Sequence, residues 1–124
     1  MSVKNAVGRT DTDDLLERGL LDNTLVVMVG EFGRQPTITG SPPDRDHHAA
    51  CYSAMLAGAG IRGGTVYGKS DRTAAQVTDC PVSIDDFAAT LLHALGVPPD
   101  TGLRRPDGFI QHVTSGEPIR ALFG

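Results

Sequence analysis

The sequence has no run of basic residues. Its 11 Lys and Arg are scattered among 15 Asp and Glu, for a net charge of -4. A protein that grips a nucleic-acid backbone draws its affinity from clustered positive charge, so that class of function is excluded. No apolar run approaches the roughly 18 residues of a membrane-spanning helix, and the opening "MSVKNAVGRTDTDD" has no apolar segment of signal-peptide length. The sequence therefore predicts a soluble chain with no membrane partner and no export signal of its own. Cysteine is scarce as well: Cys51 and Cys80 stand alone, without CxxC spacing, which excludes a disulfide framework or a zinc knuckle. Both are expected to be buried free thiols, with a single bridge as the alternative. There is no internal repeat.

What is present fits one domain. The chain has 124 residues, 40% of them hydrophobic, and its 15 glycines and eight prolines punctuate apolar segments too strong for disorder. "TDTDDLLERGLLDN" places acidic residues ahead of an apolar run and Gly19 soon after, which predicts a short helix burying Leu15, Leu16, Leu20 and Leu21. "TLVVMVG" is apolar and β-branched without alternation, the pattern of a parallel strand covered on both faces. "CYSAMLAGAG" reads as a second buried strand. The clearest helix is "PVSIDDFAATLLHALGVPPD": Ser83 caps it, Asp85 and Asp86 fill its first turn, Gly96 and the two prolines stop it, and Phe87, Leu91, Leu92 and Leu95 line one face. The segment after Pro99 reads as irregular, with "GEPIRALF" as a short docking turn.

Between the two strands lies a polar stretch, residues 31–50, with no expected regular structure, and long loops at strand ends are where sites are built. It carries Glu31 and Arg34 just past the first strand, then "DRDHH" with Asp46, His47 and His48. Carboxylate and imidazole donors of this kind suit a divalent metal, and the planar fork of Arg34 suits phosphate or sulfate oxygens. The plainer alternative is a surface ion pair between Glu31 and Arg34, a turn-capping Asp46 and solvated histidines. Two glycine motifs fail in context. "GAGIRG" fits GxGxxG but "GTVYG" follows where a helix must begin, and "GEFGRQPT" lacks the GK[ST] of a P-loop. His93, inside the amphipathic helix, is expected to be a partly buried structural residue. Ser53, Ser70 and Thr37 sit in no nucleophile elbow.

Taken in order, "LLDNTLVVMVGEFGRQP", "RDHHAACYSAMLAGAGIRGGTVYG", "PVSIDDFAATLLHALGVPPDT" and "GEPIRALF" resemble the C-terminal part of the bacterial DUF1501 family, which looks like a sulfatase-like branch of the alkaline-phosphatase superfamily. The resemblance implies an α/β fold, the C-terminal part of an alkaline-phosphatase or sulfatase-like domain: a mainly parallel sheet covered by helices, with long loops. It places that segment at residues 14–124 after a flexible leader at 1–13. Two metal-binding pairs mark the wider superfamily; Glu31 and Phe32 occupy the place of the first, and Asp46 and His47 match the second. The implied ligands of a divalent metal (Zn, Mn, Ca or Mg) are therefore His47, Glu31 and Asp46, with Arg34 steadying the negative charge of a phosphate or sulfate ester.

Phe32 cannot coordinate, so a single-metal or altered site is implied. His48 stands where relatives tend to have tryptophan. The N-terminal half that supplies the nucleophile in such domains is not in this sequence, so this chain alone is expected to be inactive, to self-associate or to dock onto that half. The alternative is a non-catalytic module binding an anion or a partner protein. Full-length relatives tend to be exported, which leaves location unassigned.

Overall fold

The computed structural model describes residues 11–124. Of the leader expected at 1–13, residues 1–10 lie outside the described residues, and helix α1 (Asp11–Glu17) begins at Asp11. Asp11, Asp13 and Asp14 place negative charge on its first turn, against the positive end of the helix dipole. Its last carbonyls are closed by a Schellman pair: Gly19 N–H donates to Leu16 O and Leu20 N–H to Leu15 O, at 3.0 and 2.9 Å. Gly19 adopts φ +66°, the left-handed geometry that glycine tolerates best. Of the four leucines expected to be buried here, Leu15 and Leu21 are half-buried while Leu16 and Leu20 stay exposed.

Strand β1 (Val26–Val29) pairs with β4 (Ala54–Ala57). Between them in sequence lie β2 (Gly33–Arg34) and β3 (His47–His48), which pair antiparallel. Further on, β5 (Lys69–Ser70) pairs antiparallel with β6 (Val77–Asp79), and β7 (Gly102–Arg104) with β8 (Ile110–His112). Helix α2 (Ile84–Ala94) separates these two hairpins in sequence. By its contacts the chain divides into two compact units. Among the described residues, one contains 11–26 with Leu56–Thr65 and Ser83–Gly124; the other contains Val27–Met55 and Val66–Val82.

The first unit is organised by α2. Ser83 caps it, its Oγ accepting the Asp86 amide at 2.9 Å, and Gly96 at φ +75° closes it with a second Schellman pair, Gly96 N–H to His93 O and Val97 N–H to Leu92 O. Ala89 and Thr90 on this helix are the two buried side chains among the described residues, both at 0% exposure. The segment 114–119 straps across the helix. Thr114 Oγ1 donates to Asp85 O, Ser115 Oγ to Asp85 Oδ2, and the Glu117 amide to Asp86 Oδ1 at 2.9 Å. The Ile119 amide ends on Thr90 Oγ1, which itself donates to Asp86 O. Beyond the strap, a 3-10 turn at Arg120–Leu122 leads to Phe123, which bridges to Ile61 and meets His93 edge to face at 4.8 Å. The docking turn and the structural role of His93 thus take physical form.

The Glu117 amide, followed by the Ser83 hydroxyl and amide, holds the Asp86 carboxyl below its ordinary 3.8. A carboxyl depressed on folding contributes stability that is complete above its unfolded pKa and is lost as pH falls below about 4 through the folded value. Protection of the Glu117 amide against hydrogen exchange is expected to drop over that acid window. Asp86→Asn should flatten the drop, and an unchanged pH profile in the variant would contradict this role.

The second unit is built from ribbons. The β2–β3 ladder extends outward through Gln35 N–H to Asp46 O at 2.9 Å and the reciprocal Thr39–Asp44 bridge. In the turn between β5 and β6, Asp71 Oδ1 collects the Thr73 amide and hydroxyl and the Ala75 amide at 3.0, 3.1 and 2.9 Å. Cys51 and Cys80 are both free; Cys51 is half-buried and Cys80 exposed, so neither is the buried thiol expected.

The mainly parallel, helix-covered α/β sheet implied by the resemblance is not what forms. Among the described residues, three of the four sheets are antiparallel two-stranded ribbons, and the two α-helices span seven and 11 residues. β1 alternates half-buried with exposed positions, leaving Val27 39% and Val29 46% accessible. The physical reason lies in what an apolar run encodes. It marks side chains that favour burial, but layers on both faces must come from elements elsewhere in the sequence, and Val27 and Val29 keep part of their surface in solvent. No helix among the described residues is long and apolar enough to cross a membrane.

Candidate functional site

Register places Arg34 and His47 directly opposite each other on the β2–β3 ribbon. Cross-strand partners project from the same face, and Phe32, in the bend just before β2, lies against both of them. Phe32 and His47 stack with ring centroids 3.7 Å apart and planes 27° from parallel. The Arg34 guanidinium carbon lies 5.3 Å from the centre of the Phe32 ring, within cation–π range. Arg34 Nη1 donates to the Arg45 carbonyl at 3.0 Å, which fixes the plane of the fork and leaves its other N–H groups available. Beside it is a shallow depression lined by Arg34, Ile38, Pro43, Asp44 and Arg45.

The ribbon is tight because Gly33 has no side chain. A Cβ there would fall on the Cys51 carbonyl oxygen and 2.7 Å from the His48 carbonyl oxygen. On the other side of β3, His48 Nε2 lies 2.7 Å from the Ala75 carbonyl oxygen. A carbonyl only accepts, so Nε2 carries the proton in this bond.

The residues expected at a site are thus gathered in part. Arg34 and His47 come together; the acidic members do not join them as a ligand set. Glu31 and Asp46 are exposed, the Asp46 carbonyl accepts the Gln35 amide, and among the described residues no three His, Cys, Asp or Glu side chains are placed to hold a metal ion. The surface offers instead an oriented guanidinium, a second arginine on the same depression and a stacked imidazole, a donor set for oxyanions.

Phe32 was legible only as a non-ligand; its stacking on His47 depends on the bend that leads into β2, which no local pattern announces. Arg45 carried no comparable signal, because it orients Arg34 through its backbone carbonyl.

No curated protein and no solved structure matches the chain. Residues 11–123 match the family described as "Protein of unknown function (DUF1501)". Since that match spans nearly the whole sequence, from the first turn of α1 to Phe123, the chain belongs to the DUF1501 family.

Proposed function

We propose that the β2–β3 ribbon is an anion-binding surface and that this chain binds a phosphate or sulfate group without hydrolysing its ester. The observation that carries the reading is the Arg34 guanidinium, oriented by the Arg45 carbonyl at 3.0 Å and seated over Phe32 beside its cross-strand partner His47. An oriented fork loses less freedom on pairing with an oxyanion than a solvated one. Two tetrahedral oxygens would take the free N–H groups of Arg34, with Arg45 adding positive charge from the same depression. No residue of this chain is assigned as a nucleophile.

Calorimetric titration with inorganic phosphate and with sulfate at low ionic strength tests the reading. Arg34→Gln is expected to weaken binding about tenfold, the scale of one charge-assisted hydrogen bond, and added salt should weaken the native complex. Equal affinity in the two proteins would contradict the assignment.

A second reading, descent from a metal-dependent phosphate- or sulfate-ester hydrolase, is favoured by the adjacent Asp46 and His47. The Asp46 carboxylate carries no hydrogen bond or ion pair among the described residues. Elemental analysis and titration with zinc, manganese, calcium and magnesium separate the two. Stoichiometric uptake abolished by His47→Ala supports the hydrolase descent, and no uptake by folded protein rejects it.

A further inference from the structure

We infer that His48 and Asp71 are positioning residues for the Arg34–Phe32–His47 surface, acting through the Ala75 carbonyl; this rests on the anion-binding reading for its purpose and on geometry for its substance. Successive residues of a strand project to opposite faces. With His47 committed to Phe32 at 3.7 Å, His48 points the other way and reaches Ala75 at 2.7 Å. β3 is two residues long, and its one ladder is with the equally short β2. Even extended by the Gln35–Asp46 and Thr39–Asp44 bonds, an isolated two-stranded ribbon is only marginally stable in water. A second anchor on the opposite face of β3 supplies what the ladder lacks, and His48, half-buried where His47 is exposed, is that anchor.

The anchor is useful only if Ala75 is itself fixed, and Asp71 fixes it. One carboxylate oxygen takes three donors: the Ala75 amide at 2.9 Å, the Thr73 amide at 3.0 Å and the Thr73 hydroxyl at 3.1 Å. The Asp71 amide closes the turn on Gln76 O at 2.9 Å, and the Ala74 amide reaches Asp71 O at 3.2 Å. Ala74 lies at φ +58°, a left-handed geometry unfavourable for a residue with a Cβ, so the turn is held by these bonds against its intrinsic preference. The Ala75 amide, with the Thr73 donors, keeps the Asp71 carboxyl below its ordinary range, so the acceptor stays ionised at neutral pH. The result is a connected path from Asp71 to Ala75 to His48, and along one peptide to His47.

The path predicts an asymmetry between substitutions. His48→Gln keeps an N–H donor at nearly the Nε2 position, whereas His48→Phe keeps a ring and loses the donor. Asp71→Ala removes the anchor of Ala75 without touching β3. The readout is the ring-current displacement of the His47 proton signals caused by Phe32, recorded by NMR on the full chain alongside titration with inorganic phosphate. His48→Phe and Asp71→Ala are expected to return the His47 signals toward their unstacked positions and to weaken phosphate binding about fivefold. His48→Gln should preserve both.

Retention of the displaced His47 signals in folded His48→Phe would overturn the inference, as would equal loss in His48→Gln. A measurement on the unaltered protein guards against variants that fail to fold: the nitrogen shifts of His48 should report a proton on Nε2, and the opposite tautomer would also overturn the inference. If the His47 signals follow the variants while the native chain binds no phosphate, the positioning role stands and the anion-binding reading fails. If the native chain binds phosphate and His48→Phe leaves His47 stacked, the reverse holds.

Discussion

Gly33→Ala is expected to take the β2–β3 ribbon apart. The added Cβ would meet two main-chain oxygens, those of Cys51 and His48, and neither can rotate away as a side chain would. Relief requires β2 to separate from the strand after it. That breaks the register pairing Gly33 with His48 and Arg34 with His47. An overpacking change of this kind costs about 1–3 kcal/mol. The larger effect is on the surface, where Arg34 and His47 lose their common face and phosphate affinity should fall at least as far as in Arg34→Gln. Urea unfolding with the His47 proton spectrum as probe measures both. A variant with native stability and native His47 signals would show that the ribbon does not depend on this close approach.

Thr90→Val is expected to be the most damaging conservative substitution in the first unit. The side chain is 0% exposed and its hydroxyl does two things at once, donating to Asp86 O at 2.6 Å and accepting the Ile119 amide at 3.0 Å. Valine keeps the shape and leaves the half-buried Ile119 N–H without its acceptor, a penalty at the low end of the about 1–3 kcal/mol for an unsatisfied donor. Because the strap also rests on Asp85 and Asp86, the loss should be felt along 114–119. Thr90→Ser keeps the hydroxyl and should cost less than Thr90→Val, despite removing a buried methyl group. Equilibrium unfolding of the two variants orders them, and the reverse order would mean that packing, not the hydroxyl, holds the strap.

These two positions also show how much of the molecule could be read in advance. Helix α2 was legible almost to the residue because its signals are local: a capping Ser83, acidic first-turn residues and a stopping Gly96 act within one or two turns. The strand segments "VVMV" and "AMLA" were legible as strands for the same reason, through local composition. Their surroundings were not. Whether an apolar strand is covered depends on elements distant in sequence, and the apolar run of β1 forms here with Val27 and Val29 partly in solvent.

The β7–β8 hairpin forms in the segment after Pro99 that reads as irregular, although Asp107-Gly108 between Leu103 and Ile110 is a hairpin signal. Phe109 at its turn is 72% exposed, so burial gave no help.

The site divides along the same line. Glu31, Arg34, Asp46 and His47 were visible as a cluster of reactive side chains, but which of them meet is decided by the register of a ribbon that the sequence does not announce. Arg34 and His47 fall opposite each other; Glu31 and Asp46 fall outside the group. The supports are carried by main-chain atoms of Arg45 and Ala75, and a carbonyl oxygen has no residue type to recognise.

The measurement that bears most directly on the anion-binding surface is a two-dimensional amide and side-chain NMR titration of the full chain with sulfate at low salt. The account predicts shifts concentrated at 32–34 and 45–47, with the Arg34 side-chain N–H signals moving most and saturating together with the His47 ring. Shifts spread evenly over exposed arginines, or centred on residues of the first unit instead, would contradict it.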